Sequence, residues 1–222
     1  MTTLPKVWVW DWPIRVFHWS LVVLLGFSWW SAETYHMDWH RWSGLTVLGL
    51  IVFRILWGLF GTSTARFSEF MRGPRAVFAY LRADGAARPQ ATGHNPLGGW
   101  SVLLLLLLLT VQVVSGLFAV DVDGIESGPL SYLVDFDQGR LASAVHGVSF
   151  TLLQIAVGVH VLAVLFYLLV KRRNLITAMI SGYGHGGEGA RRVPVARLAL
   201  AVLAAATLAY AVAYGFGDPF GG

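Results

Sequence analysis

The sequence predicts an all-α integral membrane protein with five apolar spans. Three observations support this fold class: 56% of the 222 residues are hydrophobic, only 13% are charged, and the mean hydropathy is +0.62. Soluble domains carry about 25% charged residues, so this composition indicates a chain that lies mainly in lipid. Each of five apolar segments is long enough, at ~1.5 Å per residue, to cross a hydrocarbon core of about 30 Å.

The first two predicted spans are joined by a short acidic connection. A Trp-rich N-terminal segment, typical of an interfacial anchor, precedes the first span at about residues 14–32. The second span covers about residues 40–60. No small-x-small cleavage pattern follows the first apolar run, so we expect this run to be retained as a span.

Three further spans follow a long basic connection. In that connection, Pro74 and the sequence RAVFAYLRA predict a short interfacial helix. Asn95 and Pro96 predict the capped start of a third span at about residues 97–120. The fourth span covers about residues 141–170 and the fifth about 193–216. The fifth is rich in Ala and other small residues, which favour close helix packing.

The distribution of charge predicts the orientation in the membrane. The connections over residues 61–97 and 171–192 each hold five Lys or Arg, whereas residues 121–140 hold five acidic residues and one Arg. Cytoplasmic loops carry an excess of Lys and Arg. We therefore expect a multi-pass protein of a bacterial inner membrane with a cytoplasmic N-terminus and an external C-terminus.

The absence of cysteine limits the chemistry that the chain can support. With no Cys, disulfides, thiolate metal sites, iron–sulfur clusters and covalent c-type haem attachment are excluded. Any haem must be held non-covalently.

Two histidines in the fourth predicted span mark a candidate functional site. His146 and His160 are fourteen residues apart, which places them near one helix face, about 21 Å apart along the axis. A single intramembrane His is as well explained by an interhelical hydrogen bond. Two on one face favour a functional site, since ionisable side chains are costly in lipid.

The predicted topology sorts four histidines into two pairs. His18 and His160 lie near the inner surface, and His40 and His146 lie near the outer surface. Each pair joins two helices, as bis-imidazole ligation of a haem in a helix bundle requires. A zinc site would place four ligands at one depth, and a proton relay would place Asp or Glu within the spans. The pattern favours two b haems.

Several polar residues near these pairs have alternative interpretations. His36 is one helical turn from His40, which we favour because Gly44 follows it and would leave room for a macrocycle. Arg15 and Arg54 either snorkel to the interface or pair with haem propionates. His94 is expected in a loop turn, with a quinone or structural role as the alternative. Gln112 and Gln154 are expected to be interhelical hydrogen-bond donors, with contact to a propionate or a quinone carbonyl as the alternative.

These residues lie in motifs that resemble those of the bacterial cytochrome b561 and nickel-hydrogenase-type cytochrome b family. The resemblance covers about residues 8–183 and includes the order and spacing of the motifs. The motifs are WPIRVFHW (12–19), HRWSG (40–44), RILWGLFG (54–61), ARF (65–67), GHNP (93–96) and His146-x13-His160.

The resemblance implies a four-helix transmembrane bundle that holds two non-covalent b haems and carries electrons between a quinone pool and a periplasmic partner. The residues that match the axial positions are His18, His40, His146 and His160. A cytochrome b561-like domain would cover residues 1–183, followed over 184–222 by a cytoplasmic linker and an additional transmembrane helix. The external acidic residues suit a basic cytochrome c.

The sequence is also compatible with two other functions, and it indicates a small set of partners. The chain is alternatively the cytochrome b anchor of a hydrogenase or other multi-subunit dehydrogenase, or a haem-free scaffold or transporter in which the histidines only pack helices. Membrane lipid and a quinone are expected partners, nucleic acid is not, and a homodimer is an alternative to a monomer. Quinone oxidoreductase activity is left undecided.

Overall fold

A computed structural model of the chain describes residues 6–82, 93–185 and 189–214. The described chain is mainly helical, as predicted. Its helices are α1 Trp12–Glu33, α2 Met37–Phe60, α3 Phe67–Phe70, α4 Pro74–Arg82, α5 Pro96–Phe118, α6 Phe136–Leu169, α7 Leu175–Ser181 and α8 Val195–Tyr214. A 3-10 turn, Ser131–Leu133, precedes α6.

Within the described residues, four helices have the length and composition to cross a membrane: α2, α5, α6 and α8. The chain is therefore a multi-pass membrane protein. Helix α1 has 22 residues, about 33 Å at ~1.5 Å per residue. Its Trp, Arg and His side chains lower its hydropathy, and it is not among the four. The predicted end of the fifth span, at residue 216, lies outside the described residues.

The helix starts that the sequence predicts are confirmed at α4 and α5. Helix α4 begins at Pro74, whose missing N–H suits the first helical turn. At α5, the side-chain oxygen of Asn95 accepts a hydrogen bond of 2.7 Å from the backbone N–H of Gly98. This is the N-cap interaction expected of Asn.

A small sheet and the two short helices α3 and α7 are not predicted by the sequence. Strand β1, Lys6–Trp8, pairs antiparallel with β2, Tyr183–His185, with Val7 opposite Gly184. Helix α7 begins after Asn174, whose side chain accepts from the N–H of Thr177 at 2.9 Å, and it ends at Gly182. The φ angle of Gly182 is +86°, a conformation that favours glycine.

The chain divides into two compact units, each with its own interior. Unit 1 comprises Met1–Phe17, Arg54–Leu104 and Gly158–Ala199, and unit 2 comprises His18–Phe53, Leu105–Val157 and Leu200–Gly222. In unit 1 the buried residues include Trp10, Asp11, Ile14, Arg54, Trp57, Thr62 and Phe70. In unit 2 they include Leu45, Leu48, Ile51, Leu109, Gln112, Val113, Ser149, Leu153, Ala201 and Ala205.

Small residues bring α8 close to α2 within unit 2. A Cβ placed on Gly49 would lie 3.5 Å from the Cβ of Ala209. Ala201, Ala205 and Ala213 are buried at intervals of four or eight residues, which places them on one helix face. The prediction of close packing by the last apolar helix is confirmed.

Candidate functional site

His40 on α2 and His146 on α6 lie next to each other in unit 2. Their ring centres are 6.0 Å apart, and the ring planes are nearly perpendicular, at 80°. Both residues are partly exposed. Within the described ranges, no three His, Asp or Glu side chains come together as a metal-holding group. The arrangement is therefore a pair of imidazoles from two helices.

The ring of His40 is oriented by a backbone carbonyl of α1. Its Nδ1 lies 2.9 Å from the carbonyl oxygen of Ser28 and 3.2 Å from the Ser28 hydroxyl. A carbonyl only accepts hydrogen bonds, so Nδ1 carries the proton and donates it. In this tautomer the lone pair of Nε2 is the one that can bind a metal.

The ring of His146 is oriented in the same way by α5. Its Nδ1 lies 2.8 Å from the carbonyl oxygen of Gln112, so Nδ1 is again the donor. The Gln112 side-chain amide lies 2.8 Å from Nε2, where it donates to the lone pair. The amide oxygen of Gln112 in turn accepts from Ser149. Binding of a metal at Nε2 requires the Gln112 side chain to turn away.

Glycines leave space beside both rings. A Cβ on Gly116 would lie 2.8 Å from Cε1 of His146, so only glycine lets the imidazole approach α5 this closely. A Cβ on Gly44, four residues after His40, would meet no atom within 4 Å. Open space on that helix face is what a flat macrocycle beside His40 needs.

His36, the alternative to His40, lies in a different environment. It is exposed, and its ring stacks on Trp39 at 4.8 Å and on Trp30 at 5.8 Å. Its Nδ1 is 3.0 Å from the Thr34 hydroxyl. His40, and not His36, is the residue that faces His146.

His18 and His160 lie on α1 and α6, as predicted, but in different compact units. His18 packs edge to face against Trp19, with ring centres 5.0 Å apart. Both histidines are partly exposed. The pairing of His18 with His160 stays a prediction.

A buried carboxylate that the sequence analysis does not single out organises unit 1. Asp11 is 2% exposed and accepts three hydrogen bonds: from the N–H of Ile14 at 2.8 Å, from the indole N–H of Trp57 at 2.8 Å and from the hydroxyl of Thr62 at 2.7 Å. The sequence allows the N-cap role of Asp11 before α1 to be predicted. It does not predict the contacts of Asp11 with Trp57 and Thr62, which are 46 and 51 residues away in the chain.

The two arginines singled out by the sequence both lie in unit 1. Arg54 is 4% exposed. It donates to the carbonyl of Ala65 at 3.2 Å and lies 4.8 Å from the ring centre of Phe67, so it does not extend into water. Arg15 donates through Nη1 to the carbonyl of Ile180. Its Nε is buried and has no hydrogen-bond partner among the described residues.

His94 lies in the connection before α5, with its ring between two aromatic side chains. The ring centres of Trp10 and Phe70 are 4.7 and 4.5 Å away. Its Nδ1 is buried, without a hydrogen-bond partner in the described part of the chain. Burial, and secondarily the nearby Arg54 and His160, lower the pKa of His94 to about 3. The predicted loop position is confirmed, and the ring is enclosed.

The acidic connection over residues 121–140 forms an exposed surface in unit 2. Glu126 pairs with Arg41 at 2.6 Å, and Asp121 accepts from the backbone N–H groups of Ile125 and Glu126. Exposed apolar side chains lie in the same connection, among them Val122 at 71% and Ile125 at 80%. The surface is therefore both acidic and apolar.

Comparison with known proteins adds one finding. A family model of prokaryotic cytochrome b561 matches residues 9–182, well over half of the chain. Neither a curated protein nor a solved structure gave a match. The family match covers all four candidate histidines and agrees with the resemblance that the motifs indicate. The chain therefore belongs to the prokaryotic cytochrome b561 family, membrane b-type cytochromes that function in electron transfer.

Proposed function

We propose that this protein is a di-haem b-type cytochrome that carries electrons across a bacterial inner membrane, between the quinone pool and a periplasmic partner such as a cytochrome c. The juxtaposition of His40 and His146 is the observation that carries this proposal. Two imidazoles that bind one metal, each at a metal–nitrogen distance of ~2 Å, have ring centres about 6 Å apart. The observed 6.0 Å fits this arrangement.

The surrounding contacts also fit iron ligation at this pair. The Nδ1 of each ring donates to a backbone carbonyl, the outer contact that metal-bound histidines usually make. That contact fixes the tautomer in which the Nε2 lone pair would bind iron, at His146 once the Gln112 amide turns away from it. The space beside Gly44 would receive the macrocycle.

We propose that His18 and His160 hold the second haem. Their matching predicted depths and their motif positions support this pair. Arg15, one helical turn before His18, is proposed to pair with a propionate, and its buried, unpartnered Nε supports that role. Arg54 is proposed for the same role, although its guanidinium already contacts Ala65 and Phe67.

The proposed domain covers residues 1–183, and residues 184–222 add a linker and α8. The family match over 9–182 supports this boundary. Helix α1, with about the length of a membrane core, would be the first of five spans, with a cytoplasmic N-terminus. The basic residues of unit 1 and the acidic residues of unit 2 support this orientation.

The residues of the chain would bind and tune the cofactor and perform no bond-making chemistry. A bound b haem supplies one-electron iron chemistry. The imidazoles would hold the iron, the Ser28 and Gln112 carbonyls would raise the basicity of those ligands, and the apolar helices would exclude water.

The two redox partners would meet the protein at different places. We propose that a quinone binds near His94, whose Nδ1 has no hydrogen-bond partner among the described residues and would bond to a quinone carbonyl. The acidic connection over residues 121–140 suits a basic periplasmic protein such as a cytochrome c, because charge complementarity accelerates and orients docking.

A second candidate function is that of a membrane anchor for a hydrogenase or other dehydrogenase. The exposed apolar side chains of Val122, Ile125 and Leu133, within the acidic connection, favour a stable partner over a transient one. Co-purification of a large periplasmic subunit with the tagged chain would support the anchor. A haem-loaded chain that is reduced by quinol without any added subunit would oppose it.

An optical and chemical haem determination tests the proposal. We expect dithionite to produce b-type bands in the purified protein and the haem assay to give two haems per chain. A titration with and without a quinone analogue should shift the midpoint potential of one haem. The absence of b-type bands would contradict haem binding and favour a haem-free scaffold or transporter. A value of one haem per chain would contradict the proposed second site at His18 and His160.

A further inference from the structure

The hydroxyl of Ser31, near the end of α1, donates to a backbone carbonyl that also holds the proposed iron ligand His40. Ser31 is 0% exposed, and its Oγ lies 2.9 Å from the carbonyl oxygen of Ser28. The same oxygen accepts from Nδ1 of His40, also at 2.9 Å. Over residues 18–33 of α1, all of which the structure describes, Ser31 is the only buried residue. The buried hydroxyl and the ligand ring therefore share one acceptor.

A serine in a helix commonly donates to the carbonyl of the preceding turn, and this contact alone satisfies a buried hydroxyl. Ser43 on α2 is such a residue. It is 3% exposed and donates to the carbonyl of His40, three residues before it, at 2.9 Å. That carbonyl belongs to the main chain of the ligand and does not hold its ring. Ser31 has the same spacing and distance, but its acceptor holds the ring, so Ser31 can act on the ligand.

The second ligand of this pair has a similar but weaker arrangement. Ser115 on α5 is 8% exposed, and its Oγ lies 3.0 Å from the carbonyl oxygen of Gln112, which accepts from Nδ1 of His146. The Ser115 hydroxyl also lies 2.7 Å from the carbonyl oxygen of Val111 and 3.4 Å from Nδ1 of His146. A hydroxyl has one proton to donate, and the shorter contact with Val111 takes most of it. Ser115 therefore affects the Gln112 carbonyl less than Ser31 affects the Ser28 carbonyl.

Sharing of the Ser28 carbonyl changes how strongly its oxygen accepts from His40. An oxygen that accepts two hydrogen bonds divides its lone-pair density between them, so each bond is weaker than it would be alone. A weaker bond at Nδ1 leaves less negative charge on the imidazole, which then donates less to a bound iron. Ferric iron depends on that donation more than ferrous iron does, because its charge is higher. Hydrogen bonds around the ligands of a haem are therefore among the features that set its reduction potential.

We propose that Ser31 is a positioning residue that raises the reduction potential of the haem held by His40 and His146, and that it acts through the Ser28 carbonyl. This role rests on the proposed binding of iron by these two histidines. Helix α1 supplies neither ligand of this haem, and Ser31 gives this helix an influence on its potential.

Redox titration of the purified, haem-loaded protein tests this role. In Ser31→Ala the Ser28 carbonyl remains, so it should accept more strongly from the His40 ring. We expect the preference of this site for ferric over ferrous haem to rise about threefold, within the range of a single hydrogen bond. At about 59 mV per tenfold change for one electron, the midpoint potential of the haem that is lost in His40→Ala should fall by about 30 mV. The midpoint potential of the other haem should not change.

Three further variants separate this effect from a general loss of packing. Ser31→Cys nearly keeps the side-chain volume but has only a weak S–H donor, so its midpoint potential should lie between those of wild type and Ser31→Ala. Ser43→Ala loses a hydrogen bond of the same length and spacing and should leave both midpoint potentials unchanged. Ser115→Ala should lower the same midpoint potential by less than Ser31→Ala does.

An unchanged or higher midpoint potential in Ser31→Ala, with both haems bound, would overturn the role of Ser31 and leave the proposed ligation intact. An equal fall in Ser43→Ala would also overturn it, because the effect would not depend on the shared carbonyl. If Ser31→Ala binds no haem, Ser31→Cys decides, and a wild-type potential in that variant would overturn the role. Failure of the ligation itself gives a different result: a wild type without b-type bands, or a His40→Ala variant that keeps both haems.

Discussion

At the scale of single residues, backbone carbonyls fix the imidazoles that we propose as iron ligands. The carbonyl of Ser28 on α1 holds His40 on α2, and the carbonyl of Gln112 on α5 holds His146 on α6. Each contact therefore links a ligand helix to a second helix. Substitution of the Ser28 or Gln112 side chain would leave these carbonyls in place, so the orienting contact depends on helix packing.

Gly116 is expected to be essential for the His146 position. In Gly116→Ala, a Cβ at 2.8 Å from the ring would displace the imidazole. Misplaced ligand contacts typically cost 10–100-fold in metal affinity, so we expect haem affinity at this site to fall by about that factor. Haem titration of the apoprotein measures it. Gly73→Ala, whose Cβ meets no atom within 4 Å, is the matched control, and unchanged affinity in Gly116→Ala would contradict the geometry.

Asp11 is expected to contribute strongly to stability. Asp11→Ala leaves the buried donors of Trp57 and Thr62 without their acceptor and removes the carboxylate near buried Arg54. We expect a loss of about 2–5 kcal/mol in the free energy of unfolding, measured by thermal or denaturant unfolding in detergent. Glu69→Ala, which breaks an ion pair with exposed partners, should cost at most ~1 kcal/mol. Equal losses of unfolding free energy in Asp11→Ala and Glu69→Ala would contradict the expected contribution of Asp11 to stability.

His94 should make the stability depend on pH. Its pKa is about 3 in the folded protein, against 6.5 as the ordinary value. Above pH 6.5 the ring is neutral in both states and has no effect. Below pH 6.5 the unfolded chain binds a proton that the folded protein does not, so stability falls as pH decreases toward 3, by up to ~1.4 kcal/mol per pH unit. Unfolding of wild type and His94→Gln between pH 7 and about 4.5 measures this difference, and parallel profiles would contradict it.

The sequence predicts the candidate histidines but not the contacts that position them. Imidazoles in apolar segments stand out because lipid penalises polar groups. Asp11, Gly116 and Gln112 acquire their roles from partners 30 to 51 residues away in the chain. A periodic pattern carries no information about such distant pairs. Among these residues, only Gln112 was predicted to bond between helices, and its contact with α6 confirms that prediction.

At the scale of elements, helices whose ends carry capping residues are predicted well. Asn95 and Pro96 give the start of α5, and Pro74 gives the start of α4. Helix α7 shows the same signals, Asn174 at its start and Gly182 at its end, but has only seven residues and no clear apolar period. The β1–β2 pair joins strands 175 residues apart. Short strands of this kind have no reliable local signature.

Helix α4 is expected to be held in place by a cluster of polar side chains. The hydroxyls of Tyr80 and Tyr167 are 2.9 Å apart, and the Asn95 amide donates to both, at 3.1 and 3.0 Å. Tyr80→Phe removes the two contacts of the Tyr80 hydroxyl with Tyr167 and Asn95, each worth about 0.5–1.5 kcal/mol, and leaves the contact between Asn95 and Tyr167 in place. We therefore expect amide exchange in Pro74–Arg82 to accelerate roughly tenfold, as measured by hydrogen–deuterium exchange. Tyr35→Phe, at an 89% exposed position, is the control, and equal exchange in both variants would contradict the anchoring role.

At the scale of the whole molecule, charge follows the division into units. Unit 1 contains all but two of the Lys and Arg residues, and unit 2 contains most of the Asp and Glu residues. Such a separation is typical of a multi-pass protein whose basic side faces the cytoplasm. It also gives the proposed basic redox protein a surface of opposite charge at the acidic connection.

The pairing of the histidines is the central claim, and redox titration of single-His variants tests it most directly. We expect His40→Ala and His146→Ala each to retain one haem, with the same midpoint potential in both variants. His18→Ala and His160→Ala should each retain the other haem, with a second, shared potential. His36→Ala should keep both haems. The pairing would be contradicted if the haem that remains in His40→Ala had a different potential from the one that remains in His146→Ala, or if neither substitution removed a haem.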